Sequence, residues 1–153
     1  MADTSLNENR LSLLIWKTSN LWQSKIRQIL KNTDLTFNEY LILETLYKLR
    51  LKQDNITQQD ICRNASIDRS VVSMKINILE EKKLLNRSQE TDKRSYDLTL
   101  TNNGILLVET LIKSVEYQEN LIFNKLSSEI FNFTNSLKLI LGKKIRIKAK
   151  LND

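Results

Sequence analysis

Residues 56–82 read ITQQDICRNASIDRSVVSMKINILEEK, and two helix starts stand eleven positions apart within them. Thr57 with Asp60 three residues on is a cap-like pattern, because side-chain oxygens at a helix start take up amide N–H groups that the first turn leaves free. Ile56 and Ile61 flank that cap. Asp68 marks the second start, flanked by Ile67 and Val72. The first helix, Thr57 to about Asn64, has two turns, and the next begins within four residues, too tight a connection for side-by-side antiparallel packing. This spacing is the signature of a helix-turn-helix. In the second helix, Asp68 to about Lys82, Val72, Ile76 and Leu79 share one stripe, while Arg69, Ser70, Ser73, Met74 and Asn77 lie away from it. Such a face fits a DNA major groove.

Upstream, Thr36 with Glu39 forms a capping box, Leu35 can pack on Tyr40 one turn inside, and the helix runs through Leu41, Leu43, Leu46 and Leu49. Before it, from Glu8 to Lys31, Leu11, Leu14, Ile15, Leu21, Trp22, Ile26 and Ile29 recur at helical spacing and predict an amphipathic helix. Downstream, Leu84 to Gln89 and the alternating Ser95 to Leu100 read as a β-hairpin whose charged connection, Glu90 to Arg94, projects as a wing. Two strands alone are marginal, so the hairpin must pack on the helices. Residues 102–126 predict a long helix, apolar nearly all round at its start and so buried on two sides. From Ser127, read as a cap, a last helix carries Ile130, Phe131, Phe133, Leu137, Ile140 and Leu141 into a basic run, Lys143 to Lys150.

The chain is therefore mainly α with a small β-hairpin wing, a winged helix-turn-helix over residues 35–104 within a single domain of residues 1–153. The helical parts, 8–33 and 105–150, exceed what a winged helix needs. Their surplus apolar surface argues for a second copy in a two-fold dimer.

Composition narrows the function. Histidine is absent, which removes the commonest general base and zinc ligand, and the two glycines, Gly104 and Gly142, form no phosphate-binding loop. No enzyme, cofactor or metal site is expected. Cys62, the lone cysteine, suits a reducing cytoplasm, and the absence of a long apolar run or a basic N-terminal leader predicts an intracellular protein away from the membrane. The net charge is +6, yet residues 56–104 carry 8 basic and 7 acidic groups, and the excess sits in residues 138–153 with 6 and 1. Nonspecific affinity rises with the phosphates neutralised, so this balance favours specific, dimer-dependent binding.

The order helix, helix, helix, helix, wing, helix, helix resembles the MarR family of bacterial regulators. The family's D-x-R-x-x-x-hydrophobic-x-L-T-x-x-G run is matched by Asp92, Arg94, Leu98, Leu100, Thr101 and Gly104. Its L-E-x-x-G-L-hydrophobic-x-R run is matched by Leu79, Glu80, Leu84, Leu85 and Arg87, with Lys83 where glycine is usual. Ser66 likewise replaces the usual turn glycine. Both departures fall at candidate left-handed positions, where a non-glycine residue costs about 1 kcal/mol, which a domain can absorb.

The resemblance implies a transcriptional regulator, more often a repressor, that binds double-stranded DNA as a homodimer on a pseudo-palindromic operator. Arg69, Ser70, Ser73, Met74 and Asn77 would then contact bases and phosphates. Arg94 would enter the minor groove, Lys93 would meet phosphate, and Asp92 would hold Arg94 or Arg87 in position. Thr57 and Gln58, at a helix N-terminus, would donate to phosphate as well as cap. Trp16, Trp22, Phe37, Tyr40 and Tyr47 lie on helices that in the family border a pocket for small aromatic or lipophilic effectors, although core packing is the ordinary use of such residues. Two alternatives stay open: a winged helix kept for protein contacts, and a redox-sensing regulator using Cys62, a position that also suits a small core residue.

Overall fold

The structure, a computed structural model, describes residues 9–89 and 96–145. The elements are α1 (Leu11–Leu30), α2 (Phe37–Arg50), α3 (Gln58–Ala65), α4 (Arg69–Glu81), β1 (Leu85–Gln89), β2 (Tyr96–Leu100), α5 (Asn102–Phe123), a short 3₁₀ segment (Asn124–Glu129) and α6 (Ile130–Ile140). The mainly helical chain with one antiparallel hairpin matches the fold class that the sequence predicts. It divides after Glu116, inside α5, into two compact units.

In the first unit the caps behave as the residues require. Thr36 accepts from the Glu39 amide while the Glu39 carboxylate accepts from the Thr36 amide, and Thr57 and Asp60 make the same reciprocal pair. Asp68 stands at the cap position of α4 with a non-helical backbone (φ −57°, ψ 142°), but its side chain makes no capping hydrogen bond. Its charge still favours the positive end of the helix. Ser66 and Lys83 adopt φ of 53° and 58°, so both non-glycine residues do occupy left-handed positions. At Lys83 the loss of helix is matched by two bonds, Lys83 N–H to the Glu80 carbonyl (2.9 Å) and Leu84 N–H to the Leu79 carbonyl (3.0 Å). These satisfy carbonyls that a helix end would otherwise strand.

The hairpin pairs Leu85 with Leu100 and Gln89 with Tyr96 at its two ends. It is stabilised by a third partner that hydrophobic patterning did not reveal. Leu98 N–H donates to the Ile56 carbonyl (2.9 Å), and the Asp97 carboxylate accepts from the Ile56 amide (3.0 Å) and from Arg50 (3.0 Å). The segment leading into α3 is thereby fastened to the wing.

Where the hairpin hands over to α5, Thr101 and Gly104 explain their shared motif. The Thr101 hydroxyl donates to the Lys83 carbonyl (2.7 Å) and accepts from the Gly104 amide (3.0 Å). A Cβ on Gly104 would lie 2.1 Å from the Leu84 carbonyl oxygen, so only glycine lets α5 approach this corner.

One apolar core joins all these elements, from Ile26 and Leu30 through Leu43, Leu46, Ile61, Val72, Ile76 and Leu79 to Leu98, Val108, Leu111 and Val115. Helix α1 starts later than predicted, and of its apolar series only Ile26, together with Leu30, is buried, while Leu11, Leu14, Ile15 and Leu21 face solvent. Helix α5 buries one stripe, Gly104, Val108, Leu111 and Val115, but Leu106 is exposed, so among the described residues the predicted burial on two sides is not met.

In the second unit the predicted cap at Ser127 is not formed. Ser127 sits at φ 49° and ψ −122°, outside the extended region from which a cap hydroxyl reaches the first turn, and α6 starts three residues later without a side-chain cap. Helix α6 ends at Ile140, and Gly142 two residues on, with φ of 69°, permits a left-handed closing turn. None of its residues is buried.

Candidate nucleic-acid interface

Helical periodicity sorts α4 into two faces. Val72, Ile76 and Leu79 are wholly buried against the core, while Arg69, Ser70, Ser73, Met74 and Asn77 are exposed. The outward set carries one cation, hydroxyl and amide groups, and a polarisable thioether, a combination able to contact phosphate, base edges and thymine methyls. Helix α3 packs directly before it, with Gln58 half-buried at the start. The Thr57 hydroxyl donates to Asp60 (3.0 Å) while accepting from the Asp60 amide, so its proton is engaged in the cap.

The wing strand is tied to α4 by Arg87. Its Nε donates to Glu80 Oε2 (3.0 Å), Nη2 donates to the Asn77 side-chain carbonyl, and the guanidinium lies 5.8 Å from the centre of the Tyr96 ring. The Arg87 bond is the main cause that holds the Glu80 carboxyl below its ordinary range. Among the described residues, Arg87 takes its hydrogen-bond partners from α4. Asp92, Lys93 and Arg94 lie outside the described residues. Asn77, read as a base contact, also carries this structural bond.

Between the α3 start and the wing lies a cleft of about 530 Å³, lined by Gln58, Gln59, Cys62, Arg69, Arg87, Tyr96 and Leu98 among others. Cys62 is half-buried and packs against the core while bordering this cleft.

The aromatic residues assigned to an effector pocket have separate settings. Trp16 is exposed, Tyr40 is wholly buried in the core, and Trp22 meets Phe37 edge to face at 5.2 Å, with Arg27 over the Phe37 ring. Tyr47 donates to Glu109 (3.1 Å), which is the main cause that raises its hydroxyl above the ordinary value.

A group that the sequence reading missed lies behind α4. Glu39, 2% exposed, accepts from Lys75 (3.1 Å) on one oxygen and from Lys82 (3.0 Å) and the Thr36 amide (3.1 Å) on the other. Burial alone would raise this carboxyl, but the bonds from Lys82, the Thr36 amide and Lys75 outweigh it and hold it below the ordinary value. The available signal was the seven-residue spacing of Lys75 and Lys82, which puts both on the edge of the buried stripe.

The fold and this surface define a winged helix-turn-helix DNA-binding protein. Residues 33–95 match the profile described as the MarR family. The chain is 27% identical over 111 residues to an uncharacterised HTH-type transcriptional regulator of Bacillus subtilis, YdcH, covering 72% of this chain and 76% of that one. Among solved structures, Staphylococcus aureus MepR in its DNA-binding conformation is 30% identical, with 87% of this chain and 97% of that chain covered and a TM-score of 0.76. The MepR–DNA complex superposes at a TM-score of 0.80 with 28% identity, over 88% and 98% of the two chains. Bordetella bronchiseptica BpsR, whose DNA binding is regulated by 6-hydroxynicotinic acid, shares the fold at 22% identity and a TM-score of 0.74, over 88% and 95%. The chain belongs to the MarR family of DNA-binding transcriptional regulators.

Proposed function

We propose that this protein is a repressor that grips a pseudo-palindromic operator as a homodimer, each copy setting α4 in a major groove and its wing in the adjacent minor groove. The observation that carries this reading is the outward face of α4, Arg69 to Asn77, presented on a helix whose opposite stripe is sealed in the core. Rigid burial on one side and polar exposure on the other is what groove recognition requires. The likeness to MepR, solved in complex with DNA, supports it. Apolar residues exposed on α1 (Leu11, Ile15, Trp16) and on α6 (Leu139, Ile140, Leu141) support pairing with a second copy, since isolated chains rarely leave so much apolar surface in water. The remaining helices thus serve dimerisation within one functional domain. Gln58 at the α3 start and Lys93 and Arg94 in the wing supply the flanking phosphate and minor-groove contacts, while Thr57, whose amide and hydroxyl both donate to Asp60, serves as the cap.

Release by a small effector completes the proposal. The cleft beside Arg69, Arg87 and Tyr96 has the volume of an ordinary ligand site, and the Arg69 guanidinium and the Tyr96 ring suit a small aromatic acid. A ligand there would compete with DNA for Arg69, and 6-hydroxynicotinic acid is a direct probe of that competition.

Selection from random duplexes tests the central reading. A pseudo-palindrome with half-sites one helical turn apart, roughly 34–36 Å, is the expected product. Arg94→Ala should then weaken operator binding by about tenfold or more while leaving the fold intact. A pool with no enriched palindrome would shift the reading to a winged helix used for protein contacts.

A further inference from the structure

Residues 69–83 carry four cations, Arg69, Lys75, Lys82 and Lys83, and two of them, Lys75 and Lys82, pair with a single carboxylate on α2. That carboxylate, Glu39, is met on both oxygens, and Lys82 also donates to the Asp34 carbonyl just before α2. Helices α2 and α4 also pack on each other and contribute Leu43, Leu46, Val72 and Ile76 to the apolar core.

These two kinds of contact restrain a helix differently. Apolar packing is non-directional and accommodates small shifts by repacking. A buried charge tolerates only the arrangement in which it is paired, and replacing such a cluster by apolar side chains commonly leaves stability unchanged. Its contribution is therefore to geometry more than to folding energy. Lys75 and Lys82 are two turns apart, about 10 Å along the helix axis. One fixed carboxylate held from both points sets the roll and the axial position of α4 together. The same helix carries Arg69, Ser73 and Asn77, and hydrogen bonds to base edges fail when donor and acceptor move apart by a fraction of an ångström.

We propose that Glu39 is a positioning residue for operator recognition, acting through Lys75 and Lys82 to set the register of α4 in the groove while withholding both lysines from the phosphates. The inference rests on the reading of α4 as the DNA-contacting helix.

The test uses the operator selected by the wild-type chain and a random duplex of equal length. Affinities for both are measured over a salt series for wild type, Glu39→Gln, and the triple variant Glu39→Gln, Lys75→Met, Lys82→Met, each checked by thermal melting. Glu39→Gln should lose about tenfold in the ratio of operator to random affinity, comparable to one mismatched base pair. Its salt slope should steepen by about one as Lys75 becomes free to meet phosphate, Lys82 remaining on Asp34. The triple variant should melt like a folded protein, keep the wild-type salt slope and still lose the ratio. Equal losses on both duplexes, as a merely structural role would give, overturn the proposal. So does a wild-type ratio in the triple variant. A wild-type chain that selects no operator is a different result, which sinks the DNA-reading assignment and this inference with it.

Discussion

The winged helix and α6 are built from the same kind of pattern and end in opposite states. In α4 the stripe Val72, Ile76 and Leu79 disappears entirely into the core. In α6 a sequence at least as apolar, with Phe131, Phe133, Leu137 and Ile140, buries nothing completely. The N-terminal half of α1 behaves like α6, exposing Leu11, Ile15 and Trp16. Periodicity marks a face that must be covered, but the cover has to be supplied. The first unit supplies it from its own chain, through corners such as Thr101 with Lys83 and Asp97 with Ile56. In the proposed homodimer a second copy would cover α6 and the start of α1, and the contrast has measurable consequences.

The largest effect is expected at the tightest corner of the winged helix. Gly104→Ala puts a Cβ 2.1 Å from the Leu84 carbonyl oxygen. The backbone must move to admit it, at a cost of about 3 kcal/mol or more. Urea denaturation measures that loss, and a variant as stable as wild type would refute the close-approach account of the motif.

Ile140→Glu probes the other side of the contrast. It places a charge on an α6 side chain that is 70% exposed in the single chain. Folding of an isolated chain should hardly respond, whereas dimer association should weaken by about 2 kcal/mol if that side chain is buried by a partner. Sedimentation velocity separates the outcomes, and an unchanged dimer would remove α6 from the interface.

Asp97→Ala tests whether the wing depends on its third partner. The change strands the Ile56 amide and frees Arg50, so a loss of about 1–2 kcal/mol is expected in thermal or urea unfolding. Hydrogen exchange at Leu98 should speed up in step. Exchange at the α6 amides should stay as in wild type.

The smallest effect is a pH dependence. Burial would raise the Glu39 carboxyl, but Lys82, the Thr36 amide and Lys75 hold it below its ordinary value of 4.5. A group depressed in the folded state contributes stability that is complete above the unfolded value and is lost as pH falls through the folded one. Wild type should therefore lose stability below pH 4.5 more steeply than Glu39→Gln. Parallel acid limbs for the two proteins would show that Glu39 stays ionised through that range or contributes nothing.

Much of the fold and part of the candidate surface were legible in the sequence. Both caps and the two faces of α4 follow from local rules, hydrogen bonds within a turn and helical periodicity, and the hairpin from the alternation of Tyr96, Leu98 and Leu100. Even Ser66 and Lys83 were readable as left-handed positions, because a family glycine at each place signals the backbone required. The partners of Arg87 were not legible, since Glu80 and Asn77 reach it only once β1 turns back along α4. The Glu39 cluster was hidden for a similar reason. Glu39 already had a sufficient local explanation as a cap partner, and its lysines lie 36 and 43 residues away. The failed cap at Ser127 shows the reverse error, where a suitable residue type stands on a backbone that cannot use it.

The amino-acid sequence alone thus determined the helix boundaries to within a few residues, the winged helix-turn-helix order and the family. Each of these depends on hydrogen bonds within a turn or on side-chain periodicity, which chain distance reports directly. The tertiary structure decided which polar groups are engaged and which stay outward: Arg87 on Glu80, Asp97 on Ile56, Lys75 and Lys82 on Glu39, and Arg69 with Ser70 and Ser73 facing solvent. Burial and pairing depend on what arrives from distant parts of the chain, and spacing along the sequence carries no record of that arrival.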